Sequence, residues 1–217
     1  MTHLENELKK LKGDTIEMWK LVLTQLNKAF HSLKTFDKDF SREVISGEKR
    51  VNAMELQIDR DCENIFALYN PVAVDLRLVL ATLKINNNLE RIGDIAEGIA
   101  KFIIIEREAF DQELMKKTHF LEMFQAAIDI VNDVLISFEN DDTKMARSIF
   151  EKDEMLDDIN IEANQNVSAY IKDHLDKTEQ ALNILSIIRK LERVGDQSKN
   201  IAEEIIFYLE AKVLKHK

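Results

Sequence analysis

The sequence predicts an all-α protein built as two tandem three-helix bundles related by pseudo-two-fold symmetry, and three observations carry that prediction. Its 217 residues include only 5 Gly and 1 Pro, while 45% are hydrophobic and 32% charged. That is the profile of a protein made of long helices. Apolar residues recur at helical spacing along most of the chain. Finally, one phrase is written twice: Leu89-Glu90-Arg91-Ile92-Gly93-Asp94 returns as Leu191-Glu192-Arg193-Val194-Gly195-Asp196, and Ile99-Ala100 returns as Ile201-Ala202.

Each helix has its own justification. Leu8, Leu11, Met18, Val22, Leu26, Ala29 and Leu33 form one broad face, so the first helix runs from about Leu4 to Lys34. Gly13 is expected to kink or fray its start. Thr35 to Asp39 reads as a turn, and a second helix then reaches about Tyr69. Asn70-Pro71 is the clearest break, with Asn as a cap and Pro at the first position of a third helix that carries the first phrase to about Glu108. A fourth helix is expected from Glu113 to Phe138, and a fifth follows the Glu139–Asp142 turn to about Asp173. Asp176-Lys177-Thr178-Glu179 resembles a capping box opening the sixth, which carries the second phrase.

The halves overlay. A shift of 105 positions puts Met18 on Met123, Asp37 on Asp142 and Arg42 on Arg147, while the phrases lie 102 apart. The units are therefore residues 1–108 and 109–217, each a rod of helices roughly 45 Å long. No Pro-, Gly- or Ser-rich linker divides them, so they are expected side by side.

Composition also excludes functions. A formal net charge of -10 argues against nucleic acid as a partner. The single cysteine, Cys62, rules out an internal disulfide framework and fits a reducing compartment. No charged-then-apolar signal pattern opens the chain. The apolar run Phe102–Ile105 stops far short of a membrane span. A soluble, cytoplasmic protein is expected.

The repeated phrase carries the candidate site. Glu90 and Asp94, like Glu192 and Asp196, are four apart and so about 40° apart around a helix, which makes one acidic spot each. Glu97 joins the first spot and Glu203 the second. A glycine inside good helical sequence costs about 1 kcal/mol against Ala, so Gly93 and Gly195 suggest a close approach to the backbone. Glu48, Asn52, Glu55 and Asp59 form a second stripe at i, i+4, i+7, i+11, which Asp153, Asp157, Asn160 and Asn164 repeat. If the stripes oppose, carboxylates and amides converge on a shared groove. Converging carboxylates resist desolvation unless a cation compensates them.

All-oxygen ligands suit Mg²⁺, Ca²⁺ and Mn²⁺, with iron also found at carboxylate clusters. The Glu-x-x-His of di-iron bundles is absent, and His3, His31, His119, His174 and His216 share no stripe with the acids. The bland alternative is a solvated helix face, with Arg91 and Arg193 forming ordinary ion pairs with acids of their own helices.

At these residues the chain resembles the PhoU family of phosphate-specific transport regulators, along essentially its whole length. The resemblance implies a cytoplasmic, non-enzymatic protein of two three-helix bundles. Its acidic motifs would hold divalent or ferric metal ions (Fe, Mn, Mg or Zn). The implied ligands are Glu192, Asp196, Asp153 and Asp157 in the second bundle, with Glu90, Asp94, Glu48 and Asn52 as a weaker counterpart, and Asn200, Glu97 and Glu203 in support. The implied partners are the ATPase side of a phosphate ABC transporter and a sensor histidine kinase, which such a protein helps to keep the phosphate-starvation response off. A homodimer, peripheral to the membrane at most, is expected. The chain departs from the family pattern at Gln197, where His is frequent, at Gly98, where Asn is frequent, and at Asn52, an amide for an acid. Three other readings compete: an accessory protein of a different phosphate permease, a carboxylate-only metal hydrolase or oxidase, and a plain helical scaffold.

Overall fold

The computed structural model describes residues 2–213. Met1 and residues 214–217, with His216 and the expected end of the second unit, lie outside the described residues. The helices are α1 (His3–Thr35), α2 (Lys38–Tyr69), α3 (Ala73–Ile105), α4 (Gln112–Lys117), α5 (Phe120–Asn140), α6 (Thr143–Asp173) and α7 (Thr178–Glu210), with no strand among the described residues. None of these helices is long and apolar enough to cross a membrane.

Helices α1, α2 and α3 pack on one another as one bundle, and α5, α6 and α7 as a second. Between bundles, α1 lies on α5 and α3 on α7. Equivalent helices thus meet equivalent helices, as a two-fold relation requires. The junction is apolar and aromatic: Phe30 stacks on Phe124 with centroids 4.8 Å apart, and Trp19 lies 5.7 Å from Phe138. Buried Trp19 also donates its indole N–H to the Val131 carbonyl, 3.1 Å away.

The duplication is visible down to single hydrogen bonds. Ser32 Oγ donates to the Asp37 carbonyl at 2.6 Å, and Ser137 Oγ to the Asp142 carbonyl at 2.8 Å. In both turns the residue before the aspartate is left-handed, Phe36 at φ 55° and Asp141 at φ 53°. The aspartate carboxylate then caps the next helix, Asp37 on Asp39 N–H and Asp142 on Lys144 and Met145 N–H.

Several local expectations are corrected. Asn70 does not start α3; it ends α2 in the left-handed conformation, φ 47°, a role Asn shares with Gly. Pro71 lies ahead of the helix, which begins at Ala73. The expected fourth helix is two, α4 and α5, broken where His119 adopts φ 50°. Buried Thr118 turns its hydroxyl onto the Leu114 and Met115 carbonyls there and closes α4. The capping box at Asp176 does not form: a 3₁₀ turn, Leu175–Lys177, leads into α7 without a side-chain cap. Gln180 instead ties this corner to the link between bundles, accepting from Asp111 N–H and donating to the Ala109 carbonyl. Helix α1 runs unbroken through Gly13. Helix α3 stops at Ile105, short of Glu108, where Lys38 donates to the Ile104 and Glu106 carbonyls.

Candidate metal centre

The two oxygen-rich stripes of each bundle do oppose one another. In the first, Asn86 of α3 donates to Asp59 Oδ1 and to the Glu55 carbonyl of α2, at 2.8 and 2.9 Å. In the second, Arg189 of α7 donates to Asn164 Oδ1 of α6 at 3.0 Å. Between these contacts the repeated glycines do what their cost suggests. A Cβ at Gly93 would lie 3.3 Å from Glu48 Oε2 and 3.1 Å from Val51 Cγ1; one at Gly195 would lie 1.9 Å from Asp153 Oδ1. Each glycine lets a carboxylate from the facing helix rest on the backbone of the motif helix.

In the first bundle that carboxylate is bare. Glu48 is 6% exposed, and neither of its oxygens has a hydrogen-bond partner. Burial, and then the charges of Asp94, Glu97 and Glu90, push its carboxyl up to about 7. Burial and Asp94 also raise Glu90, and burial and Asp59 raise Glu55. Glu97 is held by Lys101, one turn on, at 2.6 Å. Asn52, though on the stripe, is exposed.

The second bundle differs at one residue that the sequence reading passed over. Lys199 places Nζ 2.5 Å from Asp153 Oδ2 and 3.1 Å from Asp196 Oδ1. Burial works against the ammonium, but its hydrogen bonds to Asp153 and Asp196 outweigh that and raise its pKa. Asp153 is 1% exposed, with Oδ1 still lacking a partner. Burial, Asp196, Asp157 and Asp153 raise Glu192. The signal was available: Lys199 is i+3 from Asp196, so the two share a face. Asn200 and Glu203 line a different groove, shared with Lys84, Asn88 and Arg91 of α3.

Among the described residues no three Asp, Glu, His or Cys side chains stand arranged around one metal position. The first cluster nevertheless fits a cation chemically: its donors are all oxygens, and its buried carboxylate lacks any counter-charge in contact. The second fits less well, because a tethered ammonium already occupies the space between Asp153 and Asp196. Among the described residues Arg91 and Arg193 make no ion pair with the acids of their own helices, where Glu97 pairs with Lys101 and Asp196 with Lys199.

Comparison with known proteins agrees with this architecture. The PhoU domain model matches residues 15–103 and again 120–205, that is, most of α1–α3 and of α5–α7. The chain is 32% identical over 214 residues to "Phosphate-specific transport system accessory protein PhoU homolog 1" of Thermotoga maritima, covering 98% of this chain and 91% of that protein. It is also 32% identical over 211 residues to the Escherichia coli K12 accessory protein PhoU, covering 97% and 86%. The crystal structure of PhoU from Pseudomonas aeruginosa superposes with a TM-score of 0.89 at 29% identity, covering 97% of this chain and all of that one. The phosphate transport system regulatory protein PhoU from Streptococcus pneumoniae gives 0.88 at 26%, covering 99% and 100%. With a PhoU domain matched in each half and the whole fold superposed on PhoU structures, the chain belongs to the PhoU family.

Proposed function

We propose that this protein is a non-enzymatic cytoplasmic regulator that couples a phosphate ABC transporter, on its ATPase side, to a sensor histidine kinase. It would hold the phosphate-starvation response off when phosphate is plentiful. The observation that carries this reading is the end-to-end match to relatives named as accessory or regulatory proteins of phosphate transport. A deletion strain tests it: starvation genes should be expressed in phosphate-rich medium. Proper repression in that strain overturns the reading and favours service to another phosphate permease.

The metal reading is part of the same proposal. A hard cation would be held in the first bundle by Glu48, Glu90, Asp94 and Glu97, with Asn52 one turn from Glu48 on the same α2 stripe. When bound, the cation would supply counter-charge to a buried carboxylate and clamp α2 to α3. The unpartnered oxygens of Glu48 support this. Glu192, Asp196, Asp153 and Asp157 would hold a second cation only where it displaces Lys199. Metal analysis of the purified protein, with melting before and after chelation, tests both sites: a bound metal raises the melting temperature by mass action. An alanine variant of Glu90, Asp94, Glu192 and Asp196 that folds and still represses would make the acidic sites purely structural. Assays of phosphoester hydrolysis with Mn²⁺ or Mg²⁺ separate regulator from hydrolase, and light scattering tests the expected homodimer.

A further inference from the structure

A groove of about 600 Å³ runs along the junction of α3 and α7, where the two bundles meet. Its lining is unusual for a chain of net charge -10. Arg91 and Lys101 enter from α3, and Lys190 and Arg193 from α7. Of these four cations, only Lys101 has an ion pair among the described residues, to Glu97. Lys190 is half-buried without one, and the space for its ammonium comes from Gly98, where a Cβ would lie 2.8 Å from Nζ. Unpaired cations drawn together across a domain junction repel one another, an arrangement that an anion would relieve.

We propose that this groove is a binding site for a phosphate group that retains a proton, either free or as the terminal phosphoryl group of a small molecule. Guanidinium groups and ammonium groups lining one cleft are standard protein donors for phosphate oxygens. Asp94 and Glu97 stand in the same lining and supply selectivity. A carboxylate accepts the proton of hydrogenphosphate, which sulfate does not carry, and repels the fully ionised oxyanion. Phe102 and Ile105 form an apolar margin with room for the rest of a phosphorylated molecule. Because both bundles contribute donors, the bound anion would bear on how they sit together. The proposal rests on this geometry alone, so it stands or fails separately from the regulatory reading.

The test is titration calorimetry on the full chain at pH 6, where inorganic phosphate and much of the AMP retain a phosphoryl proton and sulfate does not, at fixed ionic strength and with excess chelator so that no metal carries the anion. Inorganic phosphate, sulfate and AMP are the probes. Phosphate or AMP should bind at one site per chain, with sulfate at least tenfold weaker; the tighter of the first two identifies the source of the phosphoryl group. The double variant K190Q/R193Q should lose at least tenfold in affinity. Arg91→Gln, at an exposed position that the fold does not depend on, should lose severalfold. Unchanged binding in both variants, equal binding of sulfate, or phosphate binding only when metal is added back would each overturn the proposal.

Discussion

Lys199 of α7 bridges Asp153 of α6 and Asp196 of its own helix, with Nζ 2.5 Å from the buried Asp153 oxygen and 3.1 Å from the more exposed Asp196. In the first bundle no cation touches the corresponding Glu48. Removing one partner of a buried pair strands the other charge, which costs about 3 kcal/mol. Lys199→Met should therefore destabilise the protein by about that amount in urea, whereas the double variant D153N/K199M should lose much less. Added Mn²⁺ should restore part of the loss in Lys199→Met only. Equal stability of Lys199→Met and wild type would show that the bridge contributes nothing.

The glycines make a graded series. Gly195→Ala forces a Cβ to 1.9 Å from Asp153 Oδ1 and 2.8 Å from Leu156 Cδ1, so overpacking should cost about 1–3 kcal/mol. Gly93→Ala meets its neighbours at 3.1–3.3 Å; helix propensity, about 1 kcal/mol in favour of Ala, should bring it near neutral. Gly13 has nothing within 4 Å, and Gly13→Ala should stabilise by about 0.5–1 kcal/mol. Denaturant midpoints in any other order would mean that the close approach at Gly195 is not what limits substitution.

Glu48 predicts a pH dependence of the metal-free protein. Its carboxyl is raised from an ordinary 4.5 to about 7 on folding, first by burial and then by Asp94, Glu97 and Glu90. The folded state thus binds the proton more tightly than the unfolded one. The resulting stability is fully present below pH 4.5 and is lost as pH rises through 7, about 3 kcal/mol in all. The difference between wild type and Glu48→Gln isolates this effect from other acids, and it should shrink once a metal ion holds the carboxylate. A flat difference between pH 4.5 and 8 would remove Glu48 from the titration.

Cys62 is fully buried, and burial, with Asp59 and Asp61 nearby, pushes its thiol up to about 12. The thiolate is the reactive form. A disulfide reagent at pH 8 should label the native protein no faster than the chain unfolds, and labelling within seconds would show the α2–α3 packing to be looser than described.

The helices and their duplication were legible because periodicity and repetition are statements about many residues at once. The aspartate-capped turns after Ser32 and Ser137 could be placed by overlay before any packing was known. The break at His119 could not: no Gly or Pro marks it, and it depends on Thr118 finding two carbonyls in a buried corner. Asn70 was recognised as a boundary but assigned to the wrong helix, because Asn suits both a helix start and a left-handed end. For the site, the embedded glycines pointed to a close approach at the motif helix but did not say which group makes it; the packing supplies Glu48 at Gly93 and Asp153 at Gly195. Stripe membership alone could not separate buried Glu48 from exposed Asn52, since 40° of rotation at a helix edge crosses from interior to solvent. Lys199 sits three residues after Asp196, so the sequence shows that they share a face, but only the packing shows that it also reaches buried Asp153.

Trp19 is the only tryptophan in the chain, and it lies where α1 of one bundle meets α5 of the other, its N–H on the Val131 carbonyl. The protein therefore carries a single tryptophan, whose emission can be excited apart from that of its tyrosines, at its seam. Its emission would redden when water reaches the indole, that is, when the halves part, even if every helix stayed wound and the far-ultraviolet dichroism did not change. Opening of the seam can thus be watched separately from melting of the helices, without a label and on the unaltered protein.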